Sequence, residues 1–289
     1  MSVSSSARPV VEIAGASKTF GAGPGAVEAL EPIHLTIHEG EFVSLIGPSG
    51  CGKSTLLRLI GDLTTPTSGD VKVNGKPARQ ARLDRDYGMV FQAPVLMDWR
   101  TVSRNVELPL EIMGFAREER TRRAAALLDL VELRDFGSKY PWQLSGGMQQ
   151  RVAIARALAF DPKLLLMDEP FGALDEMTRE RMNLETMNLW RRLGTTVVFV
   201  THSIPEAVFL STRVVVISAR PGQVSGVVEI DLPQPRTVET RELERYFELV
   251  TAVRETLRRN EGDAGGTDAS GAAAGSSAEV TRVRAEGFA

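Results

Sequence analysis

With 289 residues, 43% of them hydrophobic and 25% charged, the chain has the make-up of an ordinary soluble globular protein and can bury a substantial core. A net charge of −3 gives no general attraction to nucleic acid or to an anionic membrane. The single cysteine, Cys51, excludes an internal disulfide and suits a reducing compartment. The first residues, MSVSSSARPVVEI, lack the apolar stretch of a secretory signal. Runs such as LLLM and TTVVFV fall far short of the ~20 residues needed to span a bilayer. A cytoplasmic chain is expected, with any membrane role supplied by a partner.

In chain order, residues 1–9 are polar and expected to be loose. VVEIAG, IHLTIHEG and EFVSLIG then read as strands separated by turn signals. VKVNG, after Ser68-Gly69-Asp70, reads as a hairpin strand entering an Asn-Gly turn. From about 101 to 158 strand signals vanish, and REERTRRAAALLDLVEL places apolar residues at helical spacing beside a charged face. The charge run Arg117–Arg123 reads as solvated helix surface rather than a nucleic-acid patch. Alternation then returns: KLLLMDE as a buried strand, TRERMNLETMNLWRRLG as a helix ending at glycine, TTVVFVTH and RVVVIS as strands. Such alternation predicts a mostly parallel sheet covered by helices, interrupted by a helical insertion. RELERYFELVTAVRETLRRN reads as a late amphipathic helix. Residues 261–289, rich in Gly, Ala and Ser, carry too few large apolar groups to offset the entropy of ordering and read as a disordered tail.

GPSGCGKST, Gly47 to Thr55, matches the P-loop pattern in full, after a strand and before an apolar helix. Gly47, Pro48, Ser49, Gly50, Cys51 and Gly52 form a loop whose backbone N–H groups can face phosphates. Lys53 adds a point charge for the β- and γ-phosphates, and Ser54, followed by Thr55, supplies a hydroxyl for Mg²⁺. Cys51 reads as a small filler, with redox chemistry at a helix start as the alternative. GAGPG at Gly21–Gly25 lacks a strand–turn–helix context and reads as a plain loop. In LLLMDEP a buried strand ends at Asp168, which can place a carboxylate beside the metal. Glu169 follows, placed to orient or deprotonate a water attacking the γ-phosphate.

LSGGMQQRVAIARAL, Leu144 to Leu158, has the glycine turn and apolar helix of a second phosphate site, yet no lysine. LSGGMQQR resembles the signature sequence of ABC ATPases, with Met148 where the family usually has glutamine. The other family motifs follow in order over about Val10 to Ser218. Gln92 in VFQAPVL resembles the Q-loop glutamine, a ligand of Mg²⁺. FGALD, ending at Asp175, resembles the D-loop. His202 in VFVTHS resembles the switch histidine on the γ-phosphate. Phe20 sits where the family stacks an aromatic on adenine. FQAPVLMDWRTVSRNVELPLEI resembles the nitrate/sulfonate/taurine-type importer ATPases, where this stretch docks the permease.

The resemblance implies an α/β fold of the P-loop NTPase (RecA-like) type. An N-terminal antiparallel β subdomain and an inserted helical subdomain of about 101–158 would lie within an ATPase domain of 10–260. It implies ATP and Mg²⁺ as ligands and a head-to-tail pair of copies in which Ser145, Gly146 and Gly147 cap the partner's nucleotide. The further partners implied are permease subunits at the inner face of the membrane and, indirectly, a solute-binding protein; nucleic acid is not among them. The imported solute would be nitrate, a sulfonate, taurine or a compound such as a pyrimidine precursor. A soluble non-transport ABC ATPase and an ATP-binding regulatory module are the alternatives. The first would need paired ATPase units, a long coiled coil or a basic surface, and the presence of both Glu169 and His202 argues against the second.

Overall fold

The computed structural model describes residues 8–263 and 282–283. In chain order the elements are β1 (Pro9–Phe20), β2 (Val27–His38), β3 (Phe42–Ile46), α1 (Lys53–Ile60), β4 (Ser68–Val73), β5 (Lys76–Pro77), α2 (Ala78–Leu83) and β6 (Tyr87–Val90). There follow α3 (Val102–Ile112), α4 (Arg117–Leu130), α5 (Gly146–Leu158), β7 (Leu164–Asp168), α6 (Glu176–Leu193), β8 (Thr196–Val200) and α7 (Ile204–Leu210). The last are β9 (Arg213–Ile217), β10 (Val224–Glu229), α8 (Glu244–Asp263) and β11 (Arg282–Val283). The chain divides into two compact units, Met1–Ala78 with Val200–Ala289, and Arg79–Phe199.

In the first unit β1 is paired antiparallel with β2 on one side and β4 on the other. Burial alternates as the period of a half-buried strand requires: in β2, Ile33, Leu35 and Ile37 are inside while His34 and Thr36 are exposed. The Asn-Gly expectation holds. Asn74 at φ 53° and Gly75 at φ 75° both take the left-handed region of a two-residue hairpin turn between β4 and β5. β3 runs parallel to β9, and β9 pairs antiparallel with β10. Every residue of β3 is buried, which is why FVSLI is a continuous apolar run with one small hydroxyl. That hydroxyl, Ser44 Oγ, is hydrogen-bonded to Ser211 Oγ at 2.5 Å. α8 continues to Asp263, and Arg282–Val283 pairs parallel with β10. The rest of the segment read as a tail lies outside the described residues.

In the second unit β6 and β7 are parallel neighbours, and β8 lies next to β7. The helical segment expected at 101–158 comprises α3, α4 and α5. The charge run opens α4, where Arg117, Glu118 and Arg122 are exposed and Glu119 bridges Arg122 and Arg123. α6 is capped by Asp175, which accepts from Thr178 N at 3.0 Å, and it ends at left-handed Gly194. Among the described residues no helix is long and apolar enough to cross a membrane.

One side chain fixes the entry to the helical segment. Asn105 is fully buried; its Nδ2 donates to Met97, Arg100 and Thr101 carbonyls at 3.1 Å each, and its Oδ1 accepts from Met97 N at 2.7 Å. The loop 97–101 is thus folded around an amide at the start of α3. Replacing Asn105 by alanine takes the amide partner from the half-buried Arg100 carbonyl and Met97 N–H, at about 1 kcal/mol each, while the Met97 and Thr101 carbonyls keep Arg100 N and Asn105 N. Asn105→Ala is therefore expected to lower stability by about 2 kcal/mol, read as a drop in the urea midpoint. Asn105→Asp, which keeps only the acceptor, is expected to recover only a small part.

Candidate functional site

The P-loop leaves β3 and turns into α1 through two residues in the left-handed region, Gly50 at φ 75° and Gly52 at φ 102°. Gly52 is the N-cap of α1 and offers no side-chain cap, as suits a helix start that receives an anion. Lys53 is the first helical residue and is buried, 5% exposed. Its Nζ donates to the carbonyls of Gly47 at 2.8 Å and Pro48 at 2.9 Å, so the ammonium lies inside the curl of its own loop. Cys51 is buried, and burial pushes its thiol pKa up, with Lys53 opposing from 3.9 Å. That setting favours the filler reading over a reactive thiolate.

A segment that carries no motif supports this loop. A Cβ on Gly47 would sit 2.4 Å from the Ile217 carbonyl oxygen, and one on Gly222 would sit 2.0 Å from the Cys51 carbonyl oxygen. Arg220 donates from Nε and Nη2 to the Gly50 carbonyl at 3.2 and 3.0 Å. Gly222 is itself held by Ala29 and Glu31 through backbone hydrogen bonds of 3.1 and 3.0 Å. The turn after β9 is therefore the floor of the P-loop. Its sequence signal, Arg220-Pro221-Gly222 after an apolar strand, reads only as a turn, and the floor was not foreseen.

The acidic pair ends β7. Asp168 is buried at the last strand position, while Glu169 is half-buried and left-handed at φ 45°. Glu169 does not continue the pleat of the strand: a strained backbone turn aims it, not strand alternation. A Cβ on Gly172 would lie 3.4 Å from Gln92 Nε2 and 3.7 Å from Glu169 Oε2, so these two side chains converge over the same glycine. Exposed Gln92 and Glu169 are brought together within the second unit.

α5 begins at the signature. Ser145 caps it, accepting from Met148 N at 3.3 Å, and both Ser145 and Gly146 are exposed. The cap uses the backbone of residue 148, so methionine there costs it nothing. Gly147 has an internal reason: a Cβ would lie 2.9 Å from Thr178 Cγ2. At Gly146 the nearest atom would be an ordinary 3.7 Å away, so among the described residues nothing inside the chain demands glycine there. Farther along the helix, Gln150 donates to the Phe91 carbonyl at 3.1 Å, and Arg156 to Pro94 and Val95 carbonyls at 2.9 and 2.8 Å. The signature helix thereby holds the backbone on both sides of Gln92.

His202 is exposed after β8, and Ser203 caps α7. Phe20, 45% exposed at the end of β1, has the Lys18 ammonium 5.0 Å from its ring centre.

Comparison with known proteins settles the family. The ABC transporter family model matches residues 30–172. The nitrate import ATP-binding protein NrtD of Synechocystis sp. is 45% identical over 257 residues, covering 87% of this chain and 96% of that protein. The chain belongs to the ABC transporter family of ATP-binding proteins. The aliphatic sulfonates import ATP-binding protein SsuB of Bacillus cereus is 42% identical over 227 residues, covering 78% of this chain and 88% of SsuB. A solved ABC cassette, described as a dimeric post-hydrolysis state bound to ADP and Pi, is 40% identical with a TM-score of 0.68. It covers 76% of this chain and 98% of its own.

The fold is thus that of a P-loop NTPase cassette, and the chain is an ABC ATPase. Its loop fits a nucleoside triphosphate: a buried ammonium stands at a helix start whose backbone leaves no room for a Cβ at Gly47 or Gly52. Among the described residues no cluster of three His, Cys, Asp or Glu is present.

The floor gives a test outside every motif. Gly222→Ala must displace the Cys51 carbonyl, and ATP affinity is expected to fall about tenfold or more, equal to at least about 1.4 kcal/mol. Titration with a fluorescent ATP analogue reads this, and unchanged affinity in a folded variant would contradict it.

Proposed function

We propose that the chain is the ATP-hydrolysing subunit of an importer, energising uptake of a small solute through a separate permease. The relatives' names point to nitrate or aliphatic sulfonates, and taurine or a pyrimidine precursor belongs to the same class of cargo. The observation that carries the reading is that one chain has two helix starts suited to phosphate, one with a lysine and one, exposed, without. A start without its own lysine makes sense if it serves a nucleotide that another chain already grips.

In this reading two copies pair head to tail. Gly47, Pro48, Ser49, Gly50, Cys51, Gly52, Lys53, Ser54 and Thr55 cradle the phosphates of one ATP. Ser145, Gly146 and Gly147 of the other copy cap it with N–H groups and a hydroxyl. Ser54, Gln92 and Asp168 would hold Mg²⁺, which supplies charge neutralisation when bound. Glu169 takes the proton of the attacking water, His202 holds the γ-phosphate, and Phe20 offers its face to the adenine. Binding favours the closed pair and hydrolysis resets it.

The exposed stretch with Phe91, Val95 and Trp99 would meet the permease. The pair would therefore sit on the inner face of the membrane, served indirectly by a solute-binding protein.

The test is Glu169→Gln. Turnover is expected to fall by ~10²-fold or more while ATP affinity is kept, because the amide cannot accept the proton. Phosphate release and equilibrium ATP binding measure the two. Wild-type turnover in this variant would remove Glu169 from the mechanism.

A further inference from the structure

α7 is seven residues long, too short to hold its shape unaided. It is nonetheless tied to the histidine loop at its start. Glu206, in its first turn, accepts a hydrogen bond from the Thr201 hydroxyl, and the same Thr201 oxygen accepts from Ser203 N at 3.0 Å. Ser203 Oγ in turn caps Glu206 N at 3.4 Å. The residues on both sides of His202 are therefore hydrogen-bonded to the first turn of α7.

The rest of α7 is held from a distant stretch of chain. Arg236, 3% exposed, donates from Nη1 to the carbonyls of Phe209 at 2.6 Å and Val208 at 3.3 Å. These carbonyls lie at the negative end of the helix, where a cation is favourable. Arg241 places its guanidinium 4.6 Å from the Phe209 ring centre. Tyr246, in α8, donates from its hydroxyl to the Pro205 carbonyl at 3.0 Å. This grip comes from residues 236–246, beyond the 30–172 matched by the family model and beyond every motif.

We propose that Arg236, assisted by Tyr246, is a positioning residue for hydrolysis: it fixes α7, and through Glu206, Thr201 and Ser203 it fixes where His202 stands. The assignment rests on the reading of His202 as the γ-phosphate contact. Burial alone would argue against keeping an arginine here. It lowers the Arg236 pKa to about 10, and among the described residues its Nε finds no partner. The group stays charged at neutral pH. A costly buried cation aimed at helix-end carbonyls acts as a clamp and not as filler.

The experiment compares Arg236→Met, Arg236→Lys and Tyr246→Phe with the wild type, each alone and in a His202→Ala background. Arg236→Met is expected to lower kcat about tenfold, with KM for ATP changed less than about twofold. Arg236→Lys is expected to restore most of the loss, and Tyr246→Phe, which keeps the packing, to lower kcat about two- to threefold. In the His202→Ala background, read with radiolabelled ATP, none of the three variants is expected to reduce turnover further. Hydrogen exchange at Ser203 and Glu206 amides is expected to quicken in Arg236→Met while P-loop amides stay as they were.

An equal further loss on top of His202→Ala would overturn the proposal, as would full kcat in Arg236→Met or unchanged exchange at Ser203. If Arg236→Met fails to fold, Tyr246→Phe carries the same comparison. Wild-type turnover in His202→Ala alone would instead overturn the underlying reading of that histidine.

Discussion

An ammonium group taken out of water must be compensated, and Lys53 sets that requirement at the centre of this cassette. Its two close partners are the carbonyls of Gly47 and Pro48, which carry only partial charges. A phosphate, with full charges and several acceptors, satisfies the group better than its own loop does. Holding a lysine in that position requires a backbone curled past the reach of ordinary residues. That curl in turn needs the floor built by Ile217, Arg220 and Gly222. The P-loop is accordingly not an autonomous motif: a turn some 170 residues away in sequence is one side of it.

The signature helix obeys the complementary rule. α5 starts with N–H groups and a serine cap but no cation, so it can improve a phosphate site without founding one. Its other contacts give the start mechanical consequences. Through Gln150 and Arg156 it grips the backbone around Gln92, and Val95 in that stretch is held at φ 47°, a conformation a β-branched residue avoids. Whatever seats at Ser145 and Gly146 therefore acts on a helix already attached to the loop that follows β6. α7 has a similar design on a smaller scale, with His202 before its start and contacts from residues 236–246 along its length.

Much of this was legible in the sequence because the signals were local. Asn74-Gly75 announced a hairpin turn, Gly194 a helix end, and GPSGCGKST a loop between strand and helix. The short elements β6, α2, α7 and β10 were not read, since four to seven residues rarely complete a hydrophobic period. The site followed the same division. Motif residues could be named individually, but the left-handed turn at Glu169 and the supports at Arg220, Gly222 and Arg236 depend on contacts between residues far apart in the chain. Nothing in the pattern R-P-G or Q-P-R shows which carbonyl an arginine will reach. Met148 went the other way: a departure from the family pattern became unimportant once the cap was seen to use its backbone.

The central claim is that one copy's signature completes the nucleotide site of another. Light scattering with MgATP tests it most directly, on Glu169→Gln alone and on the same variant carrying Ser145→Arg. The first is expected to double in mass on adding MgATP. The second is expected to stay monomeric while binding ATP as tightly as the first. A second variant that pairs normally, or one that loses ATP binding as a monomer, would contradict the account.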